Sequence, residues 1–456
     1  MRIREVVPVA PGTGRDARVV ASALEARLLT GAESRWVVDP IARPVPGGRR
    51  WSFGAPRELF VRRVANFHRM GRRVLFTAPA GLGHIHPMVP LARATVARGH
   101  DVLWAVPVDG IGHIERTGIP TVAIAPAGLT SVVDVRRRYP ELDALPPLEV
   151  GDVMFGKLFG AIAAPQMLAG LAPVALEWQP DLVVADAAEF AGHIMAAELG
   201  VPSITKAFGP LLPERRTAAA GKEVAPLWRS RGLEPRSYGG AYDHLYLDIY
   251  PPGLQPKAAA HVPRRQLLRP VVDDGQLETS SPLPLPDARS DAPLVYVTMG
   301  TVFNNPEPLK VVLAALSDLD VRTLVTVGPQ ADPDSLGVQP DHVRVERYVS
   351  QSLVLPHCDV VVSHAGSGTV LAALTLGLPQ VCLPQGADQF LNAAAVASSG
   401  VGISLMPGEG GAGSVRDGVA RVLEDVSFRD AAGRVSSSIA SMPSPDDVAV
   451  VLEMFS

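Results

Sequence analysis

Three features of the sequence predict an α/β protein built from two Rossmann-like, doubly wound domains that face a central cleft. From Arg73 onward, short β-branched runs alternate with Ala/Leu-rich helical patterns, as in a mostly parallel sheet with helices on both faces. A polar, proline-studded stretch over residues 271–292 interrupts the alternation, which then restarts. Glycine-rich turns follow strand-like runs in both halves, at AGLGH and AGSGT. Such turns aim the free N–H groups of the next helix at a ligand.

Residues 1–69 differ from the rest, with thirteen arginines against six acids and breaks at PGTG and RPVPGG. They read as an Arg-rich extension, disordered or the product of a start assigned upstream of Met70. Residues 70–270 form the first α/β domain. Its strand runs are RRVLFTAP, HDVLWAVP, PDLVVADA and VPSITKA, with helical patterns at HPMVPLARATVARG and AGHIMAAELG. Tyr238, Tyr242, Tyr246 and Tyr250 have helical spacing, but Leu245, Leu247 and Ile249 alternate and Pro251 with Pro252 stops the run, which favours a strand. Residues 293–440 form the second domain, with strands at PLVYVTMGTVF, VRTLVTVGP, VRVERYV, CDVVVSHAG and PQVCLPQ. Residues 441–456 contain a helix capped by Ser444 or Asp446 and are expected to pack back towards the N-terminal domain.

A chain of 456 residues with 47% apolar content can bury two or three cores. The net charge of −4 conceals an acidic main body once the Arg-rich segment is set aside, which argues against nucleic-acid binding. No run of about 18 apolar residues predicts a membrane span and no apolar signal core opens the chain, so a cytoplasmic monomer or homodimer is expected. Cys358 and Cys382, both in apolar strand-like runs, are read as buried free thiols.

The segment Val361–Asn392 holds the most chemistry. A strand run ends at His364, AGSGT turns into a helix, and a second apolar run leads to Asp388 and Gln389. Imidazole and helix N–H groups suit a diphosphate, whereas a carboxylate and an amide suit sugar hydroxyls. AGSGT is not a Walker loop, and neither glycine turn completes a dinucleotide fingerprint. In the first domain His84 and His86 lie in the loop after the first strand, with Asp186 ending PDLVVADA on the same sheet edge. A histidine held by a buried carboxylate makes a general-base pair. Asp332 and Asp334 invite a metal reading but sit in a loop context. Met154, Phe155 and Phe159 are candidates for an apolar acceptor pocket.

With those residues in place, Arg73–Phe455 resembles the GT-B glycosyltransferases of the UDP-glycosyltransferase-like family, in particular the bacterial enzymes that glycosylate antibiotic aglycones of macrolide, polyketide or enediyne type. PAGLGHIHPMVPLARATVARGH, PDLVVADAAEFAGHIMAAELGVPSI, VYVTMGT, ERYVSQSLVLP and the His364 segment carry the resemblance. It implies that residues 70–270 bind the acceptor and residues 293–440 the nucleotide-sugar donor, with His84 the catalytic base and Asp186 its partner. It places the donor diphosphate on His364, Gly366, Ser367, Gly368, Thr369, Gly300 and Thr301, and the sugar on Asp388 and Gln389. The base is assigned to Tyr348, Val349 and Gln351, with Ser350 standing where the family carries proline.

The implied reaction is inverting transfer from a dTDP- or UDP-sugar to a small apolar acceptor, with no metal or other cofactor. Family members using UDP-sugars commonly carry glutamate eight residues after the turn histidine. Here that position is Ala372, which points to dTDP. An NAD-dependent oxidoreductase and a non-catalytic sugar-nucleotide binder are the competing readings. The first needs a complete glycine fingerprint, and the first βα turn supplies only Gly81 and Gly83.

Overall fold

The computed structural model describes residues 71–129, 131–255, 259–272, 283–286, 291–300, 306–329 and 331–455. The Arg-rich segment, most of the linker and Thr301 lie outside the described residues.

Among the described residues, thirteen strands form two sheets. In the first, β1 (Arg73–Thr77), β2 (Asp101–Pro107), β3 (Thr121–Ala125), β4 (Leu182–Asp186), β5 (Ser203–Lys206), β6 (Leu245–Asp248) and β7 (Arg265–Leu267) run in the order 3-2-1-4-5-6-7. In the second, β8 (Leu294–Thr298), β9 (Arg322–Thr326), β10 (Val343–Glu346), β11 (Val360–Ser363), β12 (Gln380–Cys382) and β13 (Gly402–Ser404) run 10-9-8-11-12-13. Both sheets are parallel in every pairing, such as β1 with β4 and β8 with β11. Each therefore has one point where the winding reverses, between β1 and β4 and between β8 and β11, and the strand ends there open into a crevice.

Burial on both faces explains why the strands read as unbroken apolar runs rather than alternating ones. β4 and β8 are buried at every position. Helices cover both faces of the first sheet, with Phe76 and Trp104 in one core and Leu75 and Val183 in the other.

Several local expectations change in the structure. GLGHIHP is helical rather than a loop, as a short helix Leu82–Ile85 followed by a 3-10 turn His86–Met88, because Pro87 sits at the start of that turn, where its missing N–H costs nothing. Of the four spaced tyrosines only Tyr246 lies within β6, while Tyr238 takes a left-handed turn at φ 54°. Asp332 caps a 3-10 turn and is exposed. The segment Glu149–Trp178 forms continuous helix, with a π-helical stretch at Gly156–Ala163, and is long and apolar enough to cross a membrane. Half of its most apolar window is buried inside the protein, where it packs on β3 and on the Ala191–Leu199 and Glu214–Ser230 helices.

Cys358 and Cys382 are buried free thiols in separate cores, and burial pushes both up to about 12. The final helix, Pro445–Leu452, begins at Ser444, whose hydroxyl accepts from the Asp447 N–H while the Asp447 carboxylate accepts from the Ser444 N–H. Val448, Ala449 and Leu452 join the core of the first sheet, and Glu453 accepts from Arg98 and lies 3.1 Å from His100. The chain thus leaves the second sheet and closes on the first.

Candidate active site in the interdomain cleft

The two reversal points face one cavity of about 860 Å³. One wall carries His84, Lys206 and Phe208, and the other carries Gly300, His364, Gly366 to Thr369, Ala372, Asp388 and Gln389.

On the first wall, β4 ends at Asp186, fully buried, and the helix after β1 brings His84 to it. His84 Nδ1 lies 2.9 Å from Asp186 Oδ1, which also accepts the Ala188 N–H at 2.8 Å. The carboxylate thereby holds the imidazole as the tautomer protonated on Nδ1 and leaves Nε2 to take a proton. Burial alone would lower the His84 pKa, but the charge and hydrogen bond of Asp186, with a smaller contribution from Asp388, raise it above its ordinary value. Phe208 and Phe159 stand edge-on to the ring at 4.6 and 5.6 Å between centroids.

Phe159 comes from the π-helical stretch, and Met154 and Phe155 line the same end of the cavity. Phe155 is 6% exposed and packs mainly against Phe159 and Phe190, so it shapes the pocket from behind. His86 lies two residues beyond His84, at the start of the 3-10 turn, edge-on to His113.

Sequence reasoning passed over Lys206, at the end of β5 in register with Asp186. Its Nζ and Asp186 Oδ2 make no hydrogen bond within the described residues, although both are buried. Burial pushes the lysine down to about 7, against the charge of Asp186. A lone lysine in a strand run carries no periodic signal, and only the pairing of β4 with β5 brings it to the dyad.

On the second wall, the helix Ser367–Thr375 opens directly from the turn after β11 and presents its N-terminal N–H groups to the cavity. His364 is sandwiched between two glycines. A Cβ on Gly300 would lie 2.6 Å from the ring, and one on Gly366 would lie 2.4 Å from Nε2. Gly300 also has φ +80°. Burial lowers the His364 pKa, against the charge of Asp388, so the imidazole is neutral at pH 7. Ala365 takes the left-handed conformation at φ 62°, a strained state for a residue with a Cβ.

The remaining donor-side residues sort by what their side chains already touch. Ser367 Oγ donates to Asp388 Oδ2 at 2.5 Å, so only its N–H faces the cavity as an anion donor. Gln351 Nε2 donates to Thr369 Oγ1 at 3.0 Å and ties the base-side residues Tyr348 and Val349 to the helix start. Ser350 is buried at the start of the short Gln351–Val354 helix, its Oγ 2.7 Å from Ser352 Oγ. Gln389 is 3% exposed, and its Oε1 accepts the N–H groups of Gln385 and Gly386 at 2.7 and 3.0 Å. Its carbonyl oxygen thus closes its own turn, in which Ala387 has φ 55°. Asp388 Oδ1 makes no such commitment among the described contacts.

Comparison with known proteins shows which family the chain resembles over most of its length. Residues 93–266 and 310–455 match the N-terminal and C-terminal domains described as Erythromycin biosynthesis protein CIII-like. The chain is 31% identical to the elloramycin glycosyltransferase ElmGT of Streptomyces olivaceus, over 83% of this chain and 96% of that one. It is 32% identical to the TDP-daunosamine transferase DnrS of Streptomyces peucetius, over 84% and 96%. The spinosyn rhamnosyltransferase SpnG, solved with thymidine diphosphate, superposes with a TM-score of 0.69 at 28% identity, covering 84% of this chain and all of that one.

Proposed function

Since the chain belongs to the Erythromycin biosynthesis protein CIII-like family, and is a glycosyltransferase of antibiotic sugar transfer, we propose that it moves a deoxysugar from a dTDP-linked donor to a hydroxyl of an apolar aglycone, with inversion and without metal. One observation carries this reading: a His84–Asp186 pair and a His364–helix N-terminus face the same cavity from opposite reversal points.

In the proposed step the acceptor oxygen attacks the anomeric carbon while its proton passes to His84 Nε2. The bond from that carbon to the diphosphate oxygen breaks, and the leaving group takes the electron pair. Asp186 stabilises the imidazolium so formed. His364 and the N–H groups of Ser367, Gly368 and Thr369 offer hydrogen bonds and a helix dipole to the departing charge, which is why no metal is invoked. A single displacement from the opposite face inverts the centre. Asp388 Oδ1 would accept from sugar hydroxyls.

The acceptor end of the cavity is apolar, with Leu142, Leu145, Met154, Leu158, Phe159 and Phe208 in its lining, which favours an aromatic or polyketide-like aglycone. Names of relatives such as the daunosamine transferase and the thymidine diphosphate complex of SpnG support a thymidine nucleotide. Ala372, which lines the cavity, offers no carboxylate to a ribose 2′-hydroxyl. The test is incubation of the protein with dTDP-sugars and a panel of polycyclic and macrolide aglycones, with and without chelator, read by mass spectrometry and by NMR of the anomeric centre. Retention of configuration, or activity that vanishes with chelator and returns with Mg²⁺, would overturn the mechanism.

A further inference from the structure

Asn392 does not line the cavity, yet it lies at the centre of the donor wall. It is fully buried on the Gln389–Ser398 helix, four residues after Asp388 and so on the same face. Its Nδ2 reaches three oxygens: Ala365 O at 2.9 Å, Ser367 Oγ at 3.0 Å and Asp388 Oδ2 at 3.1 Å. Its Oδ1 accepts from the Tyr250 hydroxyl at 3.0 Å. Tyr250 belongs to the core of the first sheet, so this bond crosses between the domains. Burial and the charge of Asp388 hold the phenol protonated, so its O–H is present to donate to Oδ1.

That donor on one side and two acceptors on the other agree on which way the amide points. With Tyr250 on Oδ1, the NH₂ group must face the carbonyl, the hydroxyl and the carboxylate. The flipped amide would set an oxygen against two acceptors, the Ala365 carbonyl and the Asp388 carboxylate, and leave the phenol O–H without an acceptor. Asp388 Oδ2 is then saturated by Ser367 Oγ and Asn392 Nδ2, which leaves Oδ1 for the cavity. The same contacts brace the left-handed Ala365. The first domain touches this cluster a second time at Gly209, where a Cβ would lie 1.9 Å from Ser367 Oγ.

We propose that Asn392 and Tyr250 are positioning residues for the donor sugar: Tyr250, from the acceptor domain, sets the Asn392 amide, which aims the Asp388 carboxylate at the sugar hydroxyls. Recognition of the sugar therefore depends on the docking of the two domains, whereas the diphosphate is held by the second domain alone. This rests on the donor-site reading above.

The test is calorimetric titration of the full chain and its Tyr250→Phe variant with dTDP and with dTDP-glucose. In the wild type, dTDP-glucose should bind more tightly than dTDP. Tyr250→Phe should hold dTDP within about twofold and lose roughly tenfold in dTDP-glucose affinity, the worth of a hydrogen bond to a charged group. Asp388→Ala should give the same split, and the double variant should lose no more than either single one. Asn392→Ala provides a second route to that split if the phenylalanine variant misfolds. Wild-type-like dTDP-glucose binding in Tyr250→Phe, or equal losses for both ligands, would overturn the positioning role while leaving the donor site in place. A wild type that binds dTDP-glucose no better than dTDP would remove the sugar contact and the proposal with it. Failure of the wild type to bind either ligand would instead sink the donor-site reading itself.

Discussion

The two reversal points share a topology and differ in electrostatics. At the first, a histidine meets a buried carboxylate, and its pKa rises despite burial. At the second, a histidine lies between two glycines with no carboxylate bonded to its ring, and burial lowers its pKa against the more distant charge of Asp388. The same side chain, at the reversal point of the same fold but after β1 in the first sheet and after β11, the counterpart of β4, in the second, is thus prepared for two tasks. A general base needs proton affinity, which a carboxylate partner supplies. A ligand for a diphosphate needs a donor that is cheap to desolvate, which a neutral imidazole and backbone N–H groups supply.

The sharpest way to break the comparison is to remove each histidine's function separately. We expect His84→Ala to cut transfer by about 10² to 10⁴ while dTDP affinity stays within a few-fold, because only the proton transfer is lost. Steady-state kinetics paired with calorimetry would show it, and turnover close to wild type would remove His84 from the mechanism.

Next in size is Gly366→Ala. Its backbone, at φ −65° and ψ 142°, accepts a side chain, so the added methyl acts only as a wedge against the His364 ring. If the displaced imidazole supplies about 2 kcal/mol, dTDP affinity falls roughly thirtyfold. Circular dichroism should be unchanged. Unaltered dTDP binding in this variant would move the phosphate site elsewhere.

A smaller effect is expected at Ala372. A 2′-hydroxyl buried without a partner costs about 1 to 3 kcal/mol, so dTDP should bind roughly tenfold more tightly than UDP. Equal or tighter binding of UDP in side-by-side titrations would refute the nucleotide assignment.

The smallest effect sharpens the electrostatic contrast itself. His84 is raised above 6.5, so it is protonated and inactive as a base below its folded pKa, and the acid limb of kcat/KM should lie above pH 6.5. Asp186, Asp388 and Lys206 are the charges that set it. Lys206 opposes the two acids, so Lys206→Met should carry the limb to higher pH, and Asp186→Asn should carry it lower as the rate falls. The same shift links to stability: the contribution of protonated His84 is full below pH 6.5 and fades as pH rises through its folded pKa. A limb that does not move in Lys206→Met would show that the lysine is only packed there.

Much of this was readable before any coordinates. Parallel strands buried on both faces write themselves as continuous apolar runs, so β1, β4, β8 and β11 were visible, together with the turns that carry His84, His364 and Gly366. The capped final helix was legible because a capping box is local. What was not legible depends on residues far apart in the chain. Lys206 became notable only when β5 paired with β4, and Tyr250 only when it met Asn392, 142 positions away. Gln389 looked free for a sugar, but its carbonyl oxygen is taken by the turn it follows.

The sequence by itself therefore determined the two-domain α/β architecture, the family and the chemical types at each strand end, because periodicity, turn chemistry and motif spacing are properties of neighbouring residues. The tertiary structure alone decided which histidine is made basic and which is kept neutral, and which carboxylate oxygen is left for a ligand. Those outcomes follow from burial and from hydrogen-bond partners supplied by other elements, and no stretch of chain read in isolation contains them.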